Sequence, residues 1–237
     1  MIKSKKILMG LTAVFLMTEA LLGVLLQTAQ GSVPINLRYT AVIFACLFCI
    51  LFAEKTFSFW FTQIALACTV CADYFLVYLT EIQQLPAMLF FSAVQIAYFL
   101  RLYFEENNKA RRRFHLIIRV VLSLLAIVVT VMVLGKNCDA VATVSMFYYA
   151  NLMLNAVFSF ASFKKNYLLA VGFLLFILCD TVIGFAFIDD YLPISKDSVI
   201  YKIIYPGFDL AWAFYLPSQA LLAISLLPER FRETINN

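Results

Sequence analysis

Eight stretches of about twenty apolar residues fill this chain almost end to end, and each is long enough to cross a hydrocarbon core of about 30 Å as a helix. They run over approximately 7–28, 35–53, 57–79, 84–104, 113–134, 139–162, 166–188 and 204–227. Inside a bilayer the backbone must satisfy its own polar groups, so segments of this kind form α-helices rather than open sheets. The expected fold is all-α, a polytopic membrane bundle of eight transmembrane helices. One transmembrane domain is expected to account for residues 1–237, because no Gly/Ser/Pro-rich linker or polar block is long enough to divide them. A hydrophobic content of 64% and a charged content of 14% exclude an ordinary soluble domain, where the figures are about 45–50% and about 25%.

The first segment follows Lys3, Lys5 and Lys6, but it is too long for a signal peptide and Glu19 interrupts it, so it reads as an uncleaved helix. Threading the chain through eight crossings puts thirteen Lys and Arg residues on one side and four on the other. Arg119 is left inside a helix near the basic side. The positive-inside rule then places both termini in the cytoplasm, with the plasma (cytoplasmic) membrane as the expected location. The basic run Lys109–Arg113 reads as a topology determinant that also attracts anionic headgroups, not as a nucleic-acid patch.

Two segments each carry an aspartate where lipid forbids one: Asp73 in QIALACTVCADYFLVYL and Asp180 in YLLAVGFLLFILCDTVIGFAFI. An ionised carboxylate at mid-depth costs about 2.5–3.5 kcal/mol even on the lenient insertion scale, so both acids are expected to face a polar interior. In the topology above, Glu19, Asp73 and Asp180 fall at or beyond the midplane on the outer side, and Asp209 lies about a turn below the outer surface. They either share a site or are separately satisfied, and Asp209 can also simply start a helix. Helical spacing adds polar stripes: Thr12, Glu19, Gly23 and Gln27; Ser92, Gln95 and Tyr98; Asn151, Asn155 and Ser159; Asp209, Trp212, Tyr215 and Gln219. Interhelical hydrogen bonding, worth about 0.6 kcal/mol per bond, accounts for any one stripe. The site candidates are Asp73 and Asp180 as catalytic acids, with Glu19, Gln95, Tyr98, Asn151, Asn155, Asp209, Tyr215 and Gln219 around a substrate.

Rows of small residues mark close helix approach. Ala65, Thr69 and Asp73 recur every four residues on the third segment, and Asp180 and Gly184 do so on the seventh, so these two helices are expected to cross near their acids. The loop Asp189–Lys202, with Tyr191, Pro193 and Tyr201, is expected either to cap the cavity or to form an interfacial aromatic belt. Cys46-x-x-Cys49 and Cys68-x-x-Cys71 imitate a zinc-ribbon spacing, with eighteen residues between the pairs. They belong to an antiparallel hairpin turning near Lys55, where the pairs miss one another in height by roughly 9 Å. They read as small buried thiols, and neither a metal nor a cofactor is expected.

The order of motifs resembles the lysoplasmalogenase-like membrane proteins of the YhhN family, over most of the chain. Ala67 to Leu76 (ACTVCADYFL) is similar to the family's small-residue stretch ending in Gly-Asp, and Ala93 to Tyr98 (AVQIAY) to its Ala-His-x-x-Tyr segment. Gly172 to Thr181 (GFLLFILCDT) resembles its Gly-x-x-x-Phe-x-x-Ser-Asp segment, and Tyr215 to Leu222 (YLPSQALL) its closing Tyr-x-x-x-Gln stretch. Ala72 stands in place of the usual glycine, Cys179 in place of the serine, and Gln95 in place of a histidine. The resemblance implies eight helices, hydrolysis of the vinyl ether bond of lysoplasmalogens, and Asp73 and Asp180 at the positions of the essential aspartates. Without the histidine, proton handling or headgroup contact at Gln95 departs from the pattern.

Two carboxyl groups suit that chemistry. Cleavage begins with proton donation to carbon, which needs a protonated acid beside an ionised one, and a low-dielectric cavity with a neighbouring like charge favours the split state. Glycosidases handle a comparable cation with paired carboxylates. The expected partners are a lysolipid substrate and membrane lipids. The other readings are a divergent non-catalytic lipid-binding protein and a small transporter; the latter typically shows inverted repeats and Gly/Pro-broken helices, and Pro86, Pro206 and Pro217 do not pair in that way. For the topology, reporter fusions after Glu81, Lys136 and Lys196 are expected to read as external, and those after Lys55, Lys109 and Lys165 as internal. A consistent inversion would remove the acids from the outer half.

Overall fold

The computed structural model describes residues 5–28, 33–79, 81–188, 191, 195–204 and 208–227. Among these no strand occurs. The helices are α1 (Lys5–Thr28), α2 (Val33–Phe52), α3 (Phe57–Asp73), α4 (Gln84–Glu105), α5 (Lys109–Leu134), α6 (Ala140–Ala161), α7 (Tyr167–Ile188), α8 (Val199–Ile204) and α9 (Leu210–Ile224). The first seven are long and apolar enough to cross a membrane, and the chain is an integral membrane protein built as an all-α bundle.

Three boundaries differ from the sequence reading, each for a local reason. The last helix has fifteen residues, about 22 Å, instead of spanning 204–227. Asp209 is its N-cap and accepts the N–H of Trp212 at 3.3 Å, while residues assigned to the loop and to the segment's first turn form the short α8. Helix α5 begins at Lys109 rather than 113 because the Asn108 side chain accepts the N–H groups of Ala110 and Arg111. The basic run is therefore its first turn. Helix α3 stops at Asp73 and continues as a π-helical turn, Tyr74–Tyr78, closed by the Leu79 N–H on the Tyr74 carbonyl at 3.1 Å. That wider turn brings both Tyr74 and Tyr78 against Tyr39 of α2. Single π turns concentrate at functional sites, and this one starts at the residue after a membrane-embedded acid.

Helix α3 packs on α2 and α4, α4 on α6, α6 on α5 and α7, and α7 on α9, which closes back onto α1 and α2. The expected crossing of α3 and α7 is not a packed interface: among the described residues these helices do not pack along one another, and Asp73 is held from α9 and Asp180 from α6. The close approach on α7 is at Gly172, where a Cβ would lie 3.0 Å from Leu222 Cδ2, and Ser218 donates to the Gly172 carbonyl at 3.0 Å. Gly184 has open space around it. In the hairpin of α2 and α3, Cys46 meets Gln63 at 3.1 Å rather than Cys68 or Cys71, as a turn near Lys55 dictates. Cys46, Cys49 and Cys179 are buried, whereas Cys71 is exposed, against the expectation of buried thiols throughout the hairpin.

At the end of the bundle that holds the α4–α5 turn, Arg101 is 1% exposed and ties three helices together. Its Nη1 donates to Thr62 at 2.9 Å and to Ser225 at 2.8 Å, and its Nε pairs with Glu105 at 3.1 Å. Asn166 joins the same point by donating to the Ser225 carbonyl at 3.1 Å. The α7–α9 contact offers a direct test of packing. Gly172→Leu should wedge these helices apart and cost about 1–3 kcal/mol, the usual penalty of overpacking, read as a lowered thermal midpoint in detergent. Gly184→Leu should leave that midpoint near its original value.

Candidate functional site

The two embedded aspartates are each held by a tyrosine from another helix. Tyr215 of α9 donates to Asp73 Oδ2 at 2.8 Å, and Tyr148 of α6 donates to Asp180 Oδ2. Asp73 is buried and Asp180 is half-buried. The two acid–tyrosine pairs are linked through the rings of Phe91 and Phe176, although the carboxylates are carried by helices that are not packed neighbours.

Aromatic rings fix that arrangement. Phe91 of α4 contacts Tyr148 with centroids 5.5 Å apart and Phe176 of α7 at 6.2 Å, and Phe176 contacts Tyr215 at 5.7 Å. Tyr215 in turn meets Trp212 at 5.0 Å. Each tyrosine presents an apolar body to this row and a hydroxyl to an acid. Cys179, beside Asp180, is buried in the same neighbourhood.

The remaining candidates separate into three groups. Asn151 and Asn155 of α6 face Arg119 of α5: its Nη1 donates to Asn151 Oδ1 at 2.6 Å and its Nη2 to Asn155 Oδ1 at 2.7 Å. Asn155 passes the bonding on to Gln95, donating to its Oε1 and to its backbone carbonyl at 2.9 Å each, and Asn151 donates to Ser123 at 3.0 Å. Arg119 also lies over the Phe99 ring at 4.3 Å. This buried guanidinium is held by amide oxygens and a ring face, with no carboxylate within ion-pair distance among the described residues. Gln95 thus belongs to a guanidinium–amide network.

Asp209 does not join the aspartate pair. It caps α9, pairs with Arg38 of α2, and its backbone exchanges two hydrogen bonds with the Gln27 side chain of α1, at 3.0 and 2.9 Å. Arg38 lies over Trp212 at 5.3 Å, which completes a clasp of α1, α2 and α9. The simple helix-start reading of Asp209 accounts for these contacts. Tyr191 donates to Asp139 at 3.0 Å; much of the expected cap, including 189–190 and 192–194, lies outside the described residues.

Glu19, Tyr98 and Gln219 form the third group, buried polar side chains with unpartnered atoms. Among the described residues, Glu19 Oε1, the Tyr98 hydroxyl and both amide atoms of Gln219 have no hydrogen-bond partner, and neither does Gln95 Nε2. Tyr98 sets its ring edge-on to Phe173 at 5.0 Å. Thr12 and Ser92, on the same stripes as Glu19 and Gln95, are satisfied by the carbonyls of Leu8 and Met88 on their own helices.

Sequence reasoning missed Tyr148 and gave Arg119 no role. Tyr148 precedes Asn151 by three residues and Asn155 by seven, so it lies on a stripe already recognised as polar. A cation within an apolar run was the signal for Arg119. If the amide network is a unit, Arg119→Met and Asn155→Leu should be non-additive. A double-mutant cycle of unfolding free energy is expected to give a coupling of about 0.5–3 kcal/mol, and strict additivity would separate the two residues.

A model of the YhhN family matches residues 35–226, most of the chain. No curated protein and no solved structure matches it.

Proposed function

The chain belongs to the YhhN family, and from that premise we propose that it is a membrane-embedded hydrolase that cleaves the vinyl ether bond of lysoplasmalogens. The observation that carries this reading is the pair of carboxyl groups, each tethered by a tyrosine hydroxyl and linked through a row of aromatic rings in the bundle interior. In this proposal, one aspartate donates a proton to the vinyl carbon remote from the ether oxygen, leaving an oxocarbenium ion. The other accepts a proton from the water that attacks that cation. The resulting hemiacetal collapses to a fatty aldehyde and a glycerophospho-headgroup, and one water is consumed.

Tyr148 and Tyr215 act in this reading as positioning residues. A hydroxyl fixed on one carboxyl oxygen orients the plane of the acid, and positioning of this kind supplies much of a catalytic site's advantage. The unpartnered groups of Tyr98, Gln95 and Gln219 are polar atoms that a headgroup or a water could engage, and Glu19 offers one more acid on α1. Asn151 and Asn155 contribute indirectly, by holding Arg119 and Gln95 in place. We place the protein in the plasma membrane with both termini cytoplasmic, which sets the acids in the outer half.

The test is aldehyde release from a panel of alkenyl and acyl lysolipids by purified protein in detergent. Asp73→Asn and Asp180→Asn should each lower the alkenyl rate by about 10²–10⁴-fold, the range typical of a general acid or base. The double variant should be no worse than either single one, since groups acting as a unit fail together. The wild-type rate should be bell-shaped in pH, with limbs belonging to the pair. Tyr148→Phe and Tyr215→Phe should lower kcat more than they change KM and should displace those limbs. Appreciable aldehyde release by either Asn variant at normal protein levels would remove that aspartate from the mechanism and favour a lipid-binding role.

A further inference from the structure

The seam between α5 and α6 carries a polar cavity and an apolar groove in line. The cavity, of about 600 Å³, opens between the α4–α5 and α6–α7 turns. Along α7 its nearest lining residue, Leu169, lies about 16 Å from Asp180 at 1.5 Å per residue. Its lining includes Arg111, Lys164, Lys165 and His115. His115 is 8% exposed and stacks on Phe158 with centroids 3.7 Å apart, and its Nδ1 has no hydrogen-bond partner among the described residues.

Two carboxylates share the cavity, and both are already engaged. Glu105 is paired from behind by Arg101, and Glu106 lies 3.8 Å from Arg111 and accepts the Asn108 N–H at 2.8 Å. Neither lysine forms an ion pair among the described residues; Lys165 donates to the Glu105 backbone carbonyl at 3.2 Å. The cavity therefore has an excess of positive charge.

The groove holds about 390 Å³ and begins at Val157, next to Phe158 of the cavity wall. Leu122, Val129 and Met153 flank it, and the small side chains of Ala126 and Ala150 leave its floor open. Helix α5 packs chiefly on α6, and among the described residues no other helix packs extensively on it. A soluble anion would use the cavity alone; an amphiphile with a negative headgroup uses both.

We infer that this seam binds an anionic glycerophospholipid of the surrounding membrane, its phosphate at Arg111, Lys164, Lys165 and His115 and one acyl chain in the α5–α6 groove. The site is separate from the aspartate pair and does not depend on the hydrolase reading. Such a lipid fills the one-sided contact of α5 and ties it to the α6–α7 turn.

Native mass spectrometry of the full chain in detergent, titrated with phosphatidylglycerol and with phosphatidylcholine of the same acyl chains, tests this directly. Phosphatidylglycerol should bind the more tightly, and Lys164→Gln with Lys165→Gln should weaken it by about tenfold or more, at about fivefold per interfacial lysine, while phosphatidylcholine changes little. Ala126→Phe, which fills the groove floor, should weaken both lipids, and millimolar inorganic phosphate should displace neither. Equal binding of the two lipids by the wild type would overturn the site. Displacement by inorganic phosphate, or phosphatidylglycerol binding untouched by Ala126→Phe, would overturn the lipid assignment in favour of a soluble anion. Should Ala126→Phe fail to accumulate, the exposed lysine pair and the phosphate competition still decide.

Discussion

A charged or acidic group buried in hydrocarbon is costly until another group answers it, and many of this bundle's specific contacts between helices follow from that cost. Asp73 is answered by Tyr215 of α9, Asp180 by Tyr148 of α6, Arg119 by two asparagines of α6, and Arg101 by Thr62 of α3 and Ser225 beyond α9. Apolar packing between helices gains little over packing against lipid tails, so these polar joints choose which helices become neighbours. The Arg38–Asp209 clasp does the same at the end of the bundle where α9 begins.

Helix α9 is central because it lies between the elements that carry the acids. Its Leu222 packs closely on Gly172 of α7 and its Ser218 donates to the Gly172 carbonyl, while Tyr215, on the same helix, reaches Asp73 of α3. The π turn after Asp73 continues the theme: the helix changes pitch just beyond the acid, and Tyr74 and Tyr78 are drawn toward α2. The acid pair is thus assembled from four helices, α3, α6, α7 and α9, with the rings of Phe91 and Phe176 setting the spacing.

The polar interior is divided by chemistry. The aspartates and tyrosines form an acidic cluster, whereas Arg119, Asn151, Asn155 and Gln95 form a cationic, amide-rich one. Gln95 sits in the second through Asn155, and an amide suits that place because it accepts a hydrogen bond through Oε1 while keeping a donor free. An imidazole at this position would offer a different set of donors and acceptors, so the amide network and the departure from the family's histidine bear on the same contact.

The sequence by itself determined the all-α membrane architecture, since the length and apolarity of the first seven segments leave no alternative in a bilayer. It also identified Asp73 and Asp180, because a carboxyl group in an apolar run is costly wherever it faces. The start of α9 and the helix that packs along α7 were not legible. Asp209 has the same composition signal whether it caps a helix or lines a cavity, and a small residue such as Gly184 permits a close approach without requiring one. Helix neighbours, the tyrosine held by each acid, and the turning of Asn151 and Asn155 toward Arg119 were decided by tertiary structure. A polar stripe states that a face needs partners, and only the packed bundle supplies them.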